Sequence, residues 1–458
     1  MQTTRRDFLR TALGASTGLA LSPAVPGFLS RRALAAAVPP EGRNSVLVVL
    51  QLSGGNDGLN TVVPYEDDAY HRNRPTLRLR AERVHKLDSG LGLHPEMPAF
   101  LRLYREGHLA IIQGVGYPNS KRDHEAAMSD WHTARPQETL TQTGWLGRAI
   151  DRACLAGQTD VPGVFVGPIP APFGLQTEQA VVPAIKSLDE WLPAEEWPVA
   201  PMLEPAGSGA GVSPAGGPGS GAGVSPATRA SRPRTVPFKT PVRGAETVEA
   251  FPAGASNPLP DFLRRTTLEA AAGKARLEAA RRAAAATGAA EYPGFPLAQT
   301  LKSVAQLIRA ELGIRVYFAE LGGGGIGGFD THADQAANHG ALLRELSESV
   351  AAFLGDLRRD RWLDSVWLMT FSEFGRTLSE NGRRGTGHGA AAPVFLAGGR
   401  LKGGLVGPHP SLSDLDADAP KFHTDFRRVY ATVLDRWLGF DSQAVLGEKF
   451  APLEGVIA

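Results

Sequence analysis

The strongest constraint on the fold is a set of short apolar runs that each end in a polar, often glycine-rich turn. Residues 45–52 (Ser-Val-Leu-Val-Val-Leu-Gln-Leu) are almost continuously apolar, as expected of a strand that is buried on both faces of a sheet. The runs at 109–115, 314–321 and 365–371 have the same character, and segments with helical spacing of apolar residues lie between them. This alternation predicts an α/β fold.

The run at 314–321 leads into the turn Gly327-Gly-Phe-Asp330-Thr-His332, which places an acid and an imidazole two residues apart. In open α/β sheets, ligands bind beyond the carboxyl ends of the strands. Asp and His side chains there are suited to hold a divalent metal. The alternative is that Asp330 and Thr331 only begin the following helix, because both residue types are common N-caps.

The ends of other strands carry the same residue types. Asp57 follows the first run, where the alternative is a turn that uses Asn-Asp-Gly for its backbone angles. Glu373 follows the run at 365–371, and His388 lies in the glycine-rich loop after it. Because these polar clusters stand at the same place relative to strands, a shared site explains them better than independent helix caps.

The loop after the run at 109–115 contains Asp123 and His124. This pair is a candidate for catalysis. The alternative is a helix N-terminus, whose positive end favours a nearby acid.

The first 37 residues have the order of an export signal, with a basic segment, an apolar segment and a run of small residues. Arg5 and Arg6, followed closely by Phe-Leu, mark the twin-arginine route. The apolar segment is short and broken by Pro23 and Pro26, which argues against a membrane anchor. We therefore predict a signal peptide over residues 1–37, the twin-arginine export machinery as a partner, and a periplasmic or otherwise exported protein.

Removal of this segment changes the formal net charge from +1 to about −3, because it carries five Arg and one Asp. A slightly acidic mature chain has no basic footprint for nucleic acid, so we expect no nucleic-acid partner. No later segment is long and apolar enough for a stable membrane span. The single cysteine, Cys154, has no second cysteine with which to form an internal disulfide.

Residues 204–233 have a different composition from the rest of the chain. The nine residues 207–215 (Gly-Ser-Gly-Ala-Gly-Val-Ser-Pro-Ala) recur at 219–227. Such Gly/Ser/Pro/Ala sequence buries little apolar surface and predicts a disordered insertion. Strand and helix patterns on both sides belong to one sheet, so we predict a single domain over residues 38–458 that contains the insertion.

Taken together, the motifs resemble the bacterial family called domain of unknown function 1501. The resemblance covers nearly all of the mature chain except 204–233. It rests on the twin-arginine leader and on Ser-Gly-Gly-Asn-Asp-Gly-Leu-Asn-Thr, Gly-Tyr-Pro-Asn-Ser, Gly-Gly-Phe-Asp-Thr-His, Phe-Ser-Glu-Phe-Gly-Arg-Thr and Gly-Thr-Gly-His-Gly. That family looks like a branch of the alkaline phosphatase and sulfatase superfamily. The resemblance implies a large mixed, mostly parallel sheet sandwiched between helices, with a two-metal site at the strand ends.

The resemblance also implies a set of metal ligands, namely Asp57, Asp330, His332, Glu373 and His388. Mixed carboxylate and imidazole ligands suit zinc or manganese. Two such ions about 4 Å apart would stabilise the attacking and leaving oxygens of a phosphate or sulfate ester.

Catalytic roles are assigned to Asp123, His124 and Arg376. Arg376 would either hold an anionic substrate oxygen bidentately or pair with a structural acid. His339, seven residues after His332, is expected to support the site or cap a helix rather than bind the metal.

Two positions depart from the family pattern. The family commonly has Asp where this chain has Gly387, and Arg-Ser-His where this chain has Arg122-Asp123-His124. If the serine is the nucleophile in relatives, this chain lacks it. A carboxylate can also serve as nucleophile, base or metal ligand, so the departure leaves activity open.

Two functions follow from these observations. The first is an exported metal-dependent hydrolase of phosphate or sulfate esters, acting on an anionic small molecule or a modified polymer. The second is an exported binding or scaffold protein that keeps the fold without the chemistry. A nucleotide-binding loop at 322–328 is set aside, because the Lys-Ser/Thr ending and a suitably placed ribose-binding acid are missing.

Overall fold

A large sheet with helices on both faces organises the computed structural model of the chain. The residues that the structure describes are 45–136, 138, 141–155, 163–167, 171–180, 182–185, 278, 282, 290–322 and 328–458. The predicted signal peptide at 1–37 and the predicted insertion at 204–233 lie outside these residues, and both stay predictions.

The strands of the described residues are named here in chain order. They are β1 (Val46–Leu52), β2 (Val62–Val63), β3 (His85–Lys86), β4 (Gly92–Leu93), β5 (Leu109–Gly116), β6 (Gly163–Val166), β7 (Ala184–Ile185), β8 (Val316–Leu321), β9 (Val366–Phe371), β10 (Arg376–Glu380), β11 (Thr386–His388), β12 (Ala392–Gly398), β13 (Gly404–Val406), β14 (Leu415–Asp416), β15 (Ala419–Pro420) and β16 (Thr424–Asp425).

The helices of the same residues follow. They are α1 (Gly58–Thr61), α2 (Asp68–Asn73), α3 (Pro98–Arg105), α4 (His124–Thr133), α5 (Trp145–Leu155), α6 (Pro296–Arg309), α7 (Gln335–Arg359), α8 (Phe426–Ala431) and α9 (Ser442–Leu446), with 3-10 turns at Phe173–Leu175 and Leu363–Ser365 and a π-helical segment at Thr432–Leu438. None of these helices is long and apolar enough to cross a membrane.

The main sheet has nine strands in the order β13-β5-β12-β9-β1-β8-β6-β7, with β16 also paired to β5. The only antiparallel pairs among them are those that β12 makes with β5 and β9; the other pairs are parallel. The predicted α/β class, with a large mixed and mostly parallel sheet, is therefore confirmed.

Helices cover both faces of this sheet because β1 is apolar on both sides. Val48 and Leu50 point into one core together with residues of α6 and α7. Leu47 and Val49 point into the other, together with residues of α5, α8 and the π-helical segment. All seven residues of β1 are buried, which explains the near-continuous apolar run in the sequence.

The position of β1 decides where the functional residues meet. It lies between β8 and β9 and is parallel to both, with Gln51 opposite Glu320 on one side and Phe371 on the other. The carboxyl ends of the three strands therefore open at the same edge of the sheet. Asp330 lies in the turn after β8, and Glu373 lies in the turn after β9. The loop after Leu52 follows β1.

Candidate metal centre at the strand ends

The loop after β1 packs directly against the turn that carries Asp330. Gly54 and Gly55 have φ values of 113° and 78°, in the left-handed region where glycine is favoured. A Cβ placed on Gly54 would lie 2.4 Å from the backbone nitrogen of Asp330. The two glycines thus let the loop after β1 and the turn after β8 approach to contact distance.

One carboxylate oxygen of Asp330, Oδ1, is the centre of the site. The Nε2 atoms of His332 and His388 lie 2.9 Å and 3.3 Å from it. Nε2 of His124 lies 3.4 Å away, and Nη2 of Arg376 lies 2.8 Å away. Three imidazoles and one guanidinium therefore converge on a single oxygen.

The hydrogen bonds of two histidines fix which ring nitrogen carries the hydrogen. Nδ1 of His124 lies 2.9 Å from Oε1 of Glu373, and Nδ1 of His388 lies 2.8 Å from the carbonyl oxygen of Arg122. Carbonyl and carboxylate oxygens only accept, so each Nδ1 donates. In the neutral rings, Nε2 then presents a lone pair.

Two lone pairs that face a carboxylate oxygen repel each other unless a cation lies among them. Consistent with this, Nε2 of His124 is buried and makes no hydrogen bond with any described residue. The ligand atoms of His124, Asp330 and His388 all lie within 4.8 Å of one another. Tetrahedral zinc, with bonds of about 2.0–2.2 Å, needs ligand atoms about 3.3–3.5 Å apart. The donor set and its spacing fit a divalent metal.

The charges of Asp330 and His332 favour the same interpretation, whereas the hydrogen bond to Glu373 raises the pKa of His124. Burial tends to raise the pKa of Asp330, but the hydrogen bond and charge of Arg376 outweigh it and hold that pKa below its usual range. Burial lowers the pKa of His332. At neutral pH Asp330 is ionised and His332 is neutral, which are the forms that bind metal.

Glu373 orients His124. Its Oε1 accepts from Nδ1 of His124 and, at 2.8 Å, from the backbone N–H of Gly54. Its other oxygen lies 3.1 Å from the Ser372 hydroxyl, and the residue is only 2% exposed. These contacts favour an orienting role for Glu373, and the prediction that it is itself a ligand stays a prediction.

The Arg376 side chain contacts the loops around Asp330. Its guanidinium donates to the carbonyl oxygens of Gly54, Gly55, Phe329 and Thr386 and to Oδ1 of Asp330. The residue is 1% exposed. The catalytic role predicted for Arg376 stays a prediction, and its buried guanidinium is bound to backbone carbonyls rather than open to a substrate anion. Its pairing with Asp330 matches the alternative of a partner acid.

Comparison with known proteins gives one family match. The family model described as "Protein of unknown function (DUF1501)" matches residues 240–451. We refer to these matched residues, less than half of the chain, as the DUF1501 region. The predicted family is thus confirmed, over a smaller part of the chain than the motifs had suggested. The DUF1501 region contains Asp330, His332, Glu373, Arg376 and His388, whereas His124 reaches the site from outside it.

Solved structures give similarities at low identity. The C-terminal periplasmic domain of EcEptC from Escherichia coli in complex with Zn is 10% identical, covers 79% of this chain and 76% of its own, and has a TM-score of 0.34. A second structure of this EcEptC domain, described without Zn, is 11% identical, covers 90% of each chain and has a TM-score of 0.37. The integral membrane protein lipooligosaccharide phosphoethanolamine transferase A (EptA) from Neisseria meningitidis is 10% identical, covers 97% of this chain and 64% of its own, and has a TM-score of 0.38. No curated protein sequence matches the chain.

Asp57, which precedes the DUF1501 region, does not join the metal group. Its carboxylate is completely buried and forms two hydrogen bonds, of 2.6 Å and 3.0 Å, with the guanidinium of Arg74. It also accepts from Gln335 and caps α1 through the N–H of Leu59. Burial tends to raise the pKa of Asp57, but Arg74 holds it below its usual range. Both carboxylate oxygens serve the buried ion pair, and the ligand role of Asp57 stays a prediction.

Asp123 and His124 separate in function although they are neighbours in sequence. Asp123 caps α4 by accepting from the N–H of Ala126 at 3.0 Å, which is the alternative of a helix N-terminus. No hydrogen bond or ion pair of the described residues joins it to the metal group, and its catalytic role stays a prediction. His124, predicted to be catalytic, lies within the metal group instead.

The remaining predictions concern the start of α7. Asp330 and Thr331 do not cap it, because the helix begins at Gln335 after Asp334, whose φ is 43°. His339 lies within α7, 1% exposed, with Nε2 3.0 Å from the Asn56 side-chain oxygen and away from Asp330 Oδ1. Sequence reasoning missed the Arg122 carbonyl and the acid Glu320 of β8. The signal for Glu320 was present, as an acid near the end of an apolar run.

Proposed function

We propose that the chain is an exported metal-dependent hydrolase of phosphate or sulfate esters. The observation that supports this most is the convergence of three imidazole Nε2 atoms on one oxygen of Asp330, at 2.9–3.4 Å. Imidazole and carboxylate ligands at this spacing suit zinc better than calcium or magnesium, which prefer oxygen ligands.

The residues of the chain would divide the work as follows. His124, Asp330 and His388, whose ligand atoms lie within 4.8 Å of one another, would hold one divalent ion, with His332 beside them. Glu373 and the Arg122 carbonyl keep the ligating nitrogens of His124 and His388 free of hydrogen. When bound, the ion would supply a Lewis acid that polarises an ester oxygen and offsets charge on it.

Exposure of the ligands favours a reactive site over a structural one. The side chains of His124, His332 and Asp330 are 39%, 36% and 43% exposed. Structural zinc sites are closed by four protein ligands, whereas catalytic sites keep one position open to water or substrate. An anionic ester can approach the group from this open side.

The number of ions follows from the donors that the described residues bring together. They contain one group of three or more His, Cys, Asp and Glu side chains with ligand atoms this close. Asp57, the residue predicted as a ligand after the first strand, is paired with Arg74. We therefore infer one ion at this group.

The alternative function, a non-catalytic exported protein, is favoured by Asp123. That residue stands where the family pattern has a serine, and its carboxylate caps α4. If the missing serine is the only nucleophile, the metal group binds without reacting.

The test combines metal analysis with an ester panel. Protein purified without chelator is expected to contain about one zinc or manganese ion and to hydrolyse an aryl phosphate or an aryl sulfate. Loss of an orienting partner lowers metal affinity by about 10–100-fold, and His388→Ala should lower it further. His71→Ala is the control, because Nε2 of His71 contacts the Tyr65 carbonyl on another part of the chain.

Three results separate the candidate functions. Metal with hydrolysis supports the enzyme, and metal without hydrolysis of any ester supports the binding protein. Protein that takes up no ion at micromolar zinc or manganese overturns both forms of the metal proposal. Export is tested separately: precursor with Arg5 and Arg6 changed to Lys should remain unprocessed in the cytoplasm.

A further inference from the structure

A second polar group lies at the same edge of the sheet as the metal group. Ser53, directly after β1, donates its hydroxyl hydrogen to Oε1 of Glu320 at 2.5 Å. Nε2 of Gln51 donates to Oγ of Ser53 at 2.7 Å and lies 3.3 Å from the same Glu320 oxygen. The hydroxyl thus accepts one hydrogen bond and gives its own hydrogen to a carboxylate.

The orientation of this group is fixed by a third side chain. Nε2 of His132 lies 2.7 Å from the Gln51 side-chain oxygen, so the amide nitrogen of Gln51 must face Ser53 and Glu320. Burial lowers the pKa of His132 to about 4, so the ring is neutral at physiological pH and donates through Nε2. A nucleophile, a base and an orienting group within hydrogen-bond reach are the signature of an activated hydroxyl.

Backbone contacts tie Ser53 to the loops that carry the metal group. Its carbonyl oxygen accepts from the N–H of Phe329 at 2.9 Å, and Phe329 precedes Asp330. The next residue, Gly54, donates to Glu373, which in turn accepts from His124. Ser53 therefore lies in the same framework of strand-end loops as two of the metal residues.

Ser372, directly after β9, is a neighbouring serine that is closed to solvent. It is 2% exposed, and its hydroxyl donates to the carbonyl oxygen of Leu52 and accepts from the N–H of Asn56. Ser53 and Glu320 are both partly exposed. The Ser372 hydroxyl also lies 3.1 Å from a Glu373 oxygen, so access rather than the acceptor distinguishes the two serines, and Ser53 has the access that a substrate needs.

We propose that Ser53 is the nucleophile of the hydrolase and Glu320 its general base, an assignment that rests on the proposed function. Burial raises the pKa of Glu320, and the charge of Glu373 adds to this. A carboxylate with a raised pKa is a better proton acceptor at neutral pH. The pair supplies the nucleophile that Asp123 does not.

The reaction proceeds in two balanced steps. Oγ of Ser53 attacks the phosphorus or sulfur atom, its proton passes to Glu320, a bond from Oγ to that atom forms, and the bond to the leaving alkoxide or aryloxide breaks. Water then attacks the same atom, its hydroxyl remains there, and its other proton neutralises the departed anion. The bond to Oγ breaks, and Glu320 returns its proton to Ser53.

The test labels the nucleophile directly. A fluorophosphonate is incubated with the full chain, both chelator-treated and zinc-loaded, and the adduct is located by peptide mass spectrometry. We expect one adduct on Ser53 in both samples, with the phosphorus–fluorine bond broken and fluoride released. Ser372 in the same protein is the internal control and should stay unlabelled.

Two variants examine the pair. Ser53→Ala should lose the adduct, and Glu320→Gln should slow labelling by about 10²–10⁴-fold, the range typical of a general base. Both should retain wild-type zinc affinity, because neither side chain is joined to His124, Asp330 or His388 by any described hydrogen bond. Mapping the adduct on wild-type protein needs no variant, so it stands if a substitution prevents folding.

The outcomes keep the two proposals apart. An adduct on another residue, no adduct at all, or unchanged labelling in Glu320→Gln overturns the Ser53–Glu320 assignment while zinc binding remains intact. A Ser53 adduct in protein that takes up no zinc even when zinc is supplied overturns the metal-dependent function and leaves the assignment standing.

Discussion

At the scale of single residues, the site is decided by which atom carries a hydrogen. Glu373 and the Arg122 carbonyl hold the hydrogens of His124 and His388 on Nδ1, so both rings offer Nε2 to the same place. The Arg122 carbonyl also means that Gly387 does not leave His388 without an orienting partner. The departure from the family pattern at that position is compensated by the backbone.

Glu373→Gln tests this orienting role. The amide keeps the size of the side chain but no longer offers a charged acceptor to Nδ1 of His124. Metal affinity should fall by about 10–100-fold, as for other orienting partners of ligating histidines. Isothermal titration with zinc measures it, and Glu380→Gln, a carboxylate that accepts from Thr76 and Leu77, is the matched control. Equal affinities in the two variants would remove Glu373 from the site.

At the scale of elements, the sequence predicted the strands better than the starts of the helices. Apolar runs located β1, β5, β8 and β9 to within about two residues, because a strand buried on both faces has little freedom in composition. The start of α7 was not located by the sequence, and the alternative that placed it at Asp330 and Thr331 fails. The N–H groups of Asp334 and Gln335 bond to the carbonyls of Arg383 and Arg384, a loop about 50 residues away that no local pattern reveals.

The same limit explains the candidate site. Asp330, His332 and His388 could be predicted from their places after strands. The different surroundings of Asp57 and His124 could not be predicted. Asp57 pairs with Arg74 and His124 with Glu373, and Glu373 is distant from His124 in sequence. An acid after a buried strand is equally suited to bind a metal, cap a helix or pair with a buried guanidinium.

The helix α4 provides a prediction at this scale. Asp123→Ala removes the N-cap and should cost about 1 kcal/mol in the free energy of unfolding, whereas Asp123→Asn should cost little, because Asn caps equally well. If Asp123 only caps, ester hydrolysis in Asp123→Asn should equal that of the parent. Urea unfolding and initial rates measure the two effects, and inactive but fully stable Asp123→Asn protein would restore a catalytic role.

At the scale of the whole molecule, both cores contain neutral histidines. Burial lowers the pKa of His94 to about 3 and of His132 and His339 to about 4, against an ordinary value of 6.5. The unfolded chain therefore binds more protons than the folded chain at mildly acidic pH. Their contribution to stability is complete above pH 6.5 and is lost as the pH falls toward 4.

This predicts a steep acid limb of stability. The urea midpoint should be flat from about pH 8 to 7 and fall continuously from pH 6.5 to 4.5. His132→Gln, which keeps a donor for Gln51 but does not titrate, should flatten part of that fall. A midpoint that is unchanged between pH 7 and pH 5 in the parent protein would contradict the prediction.

The buried position of Arg376 has a consequence for how the protein acquires its ion. In small zinc domains the ion takes the place of a core, so that the chain folds only as it loads. Here a permanent cation already joins the loops after β1, β8 and β10 and balances the charge of Asp330. Under the proposed function, folding would then not depend on the ion. An exported chain of this kind would fold first, cross the membrane in the folded form and take up its ion at its destination.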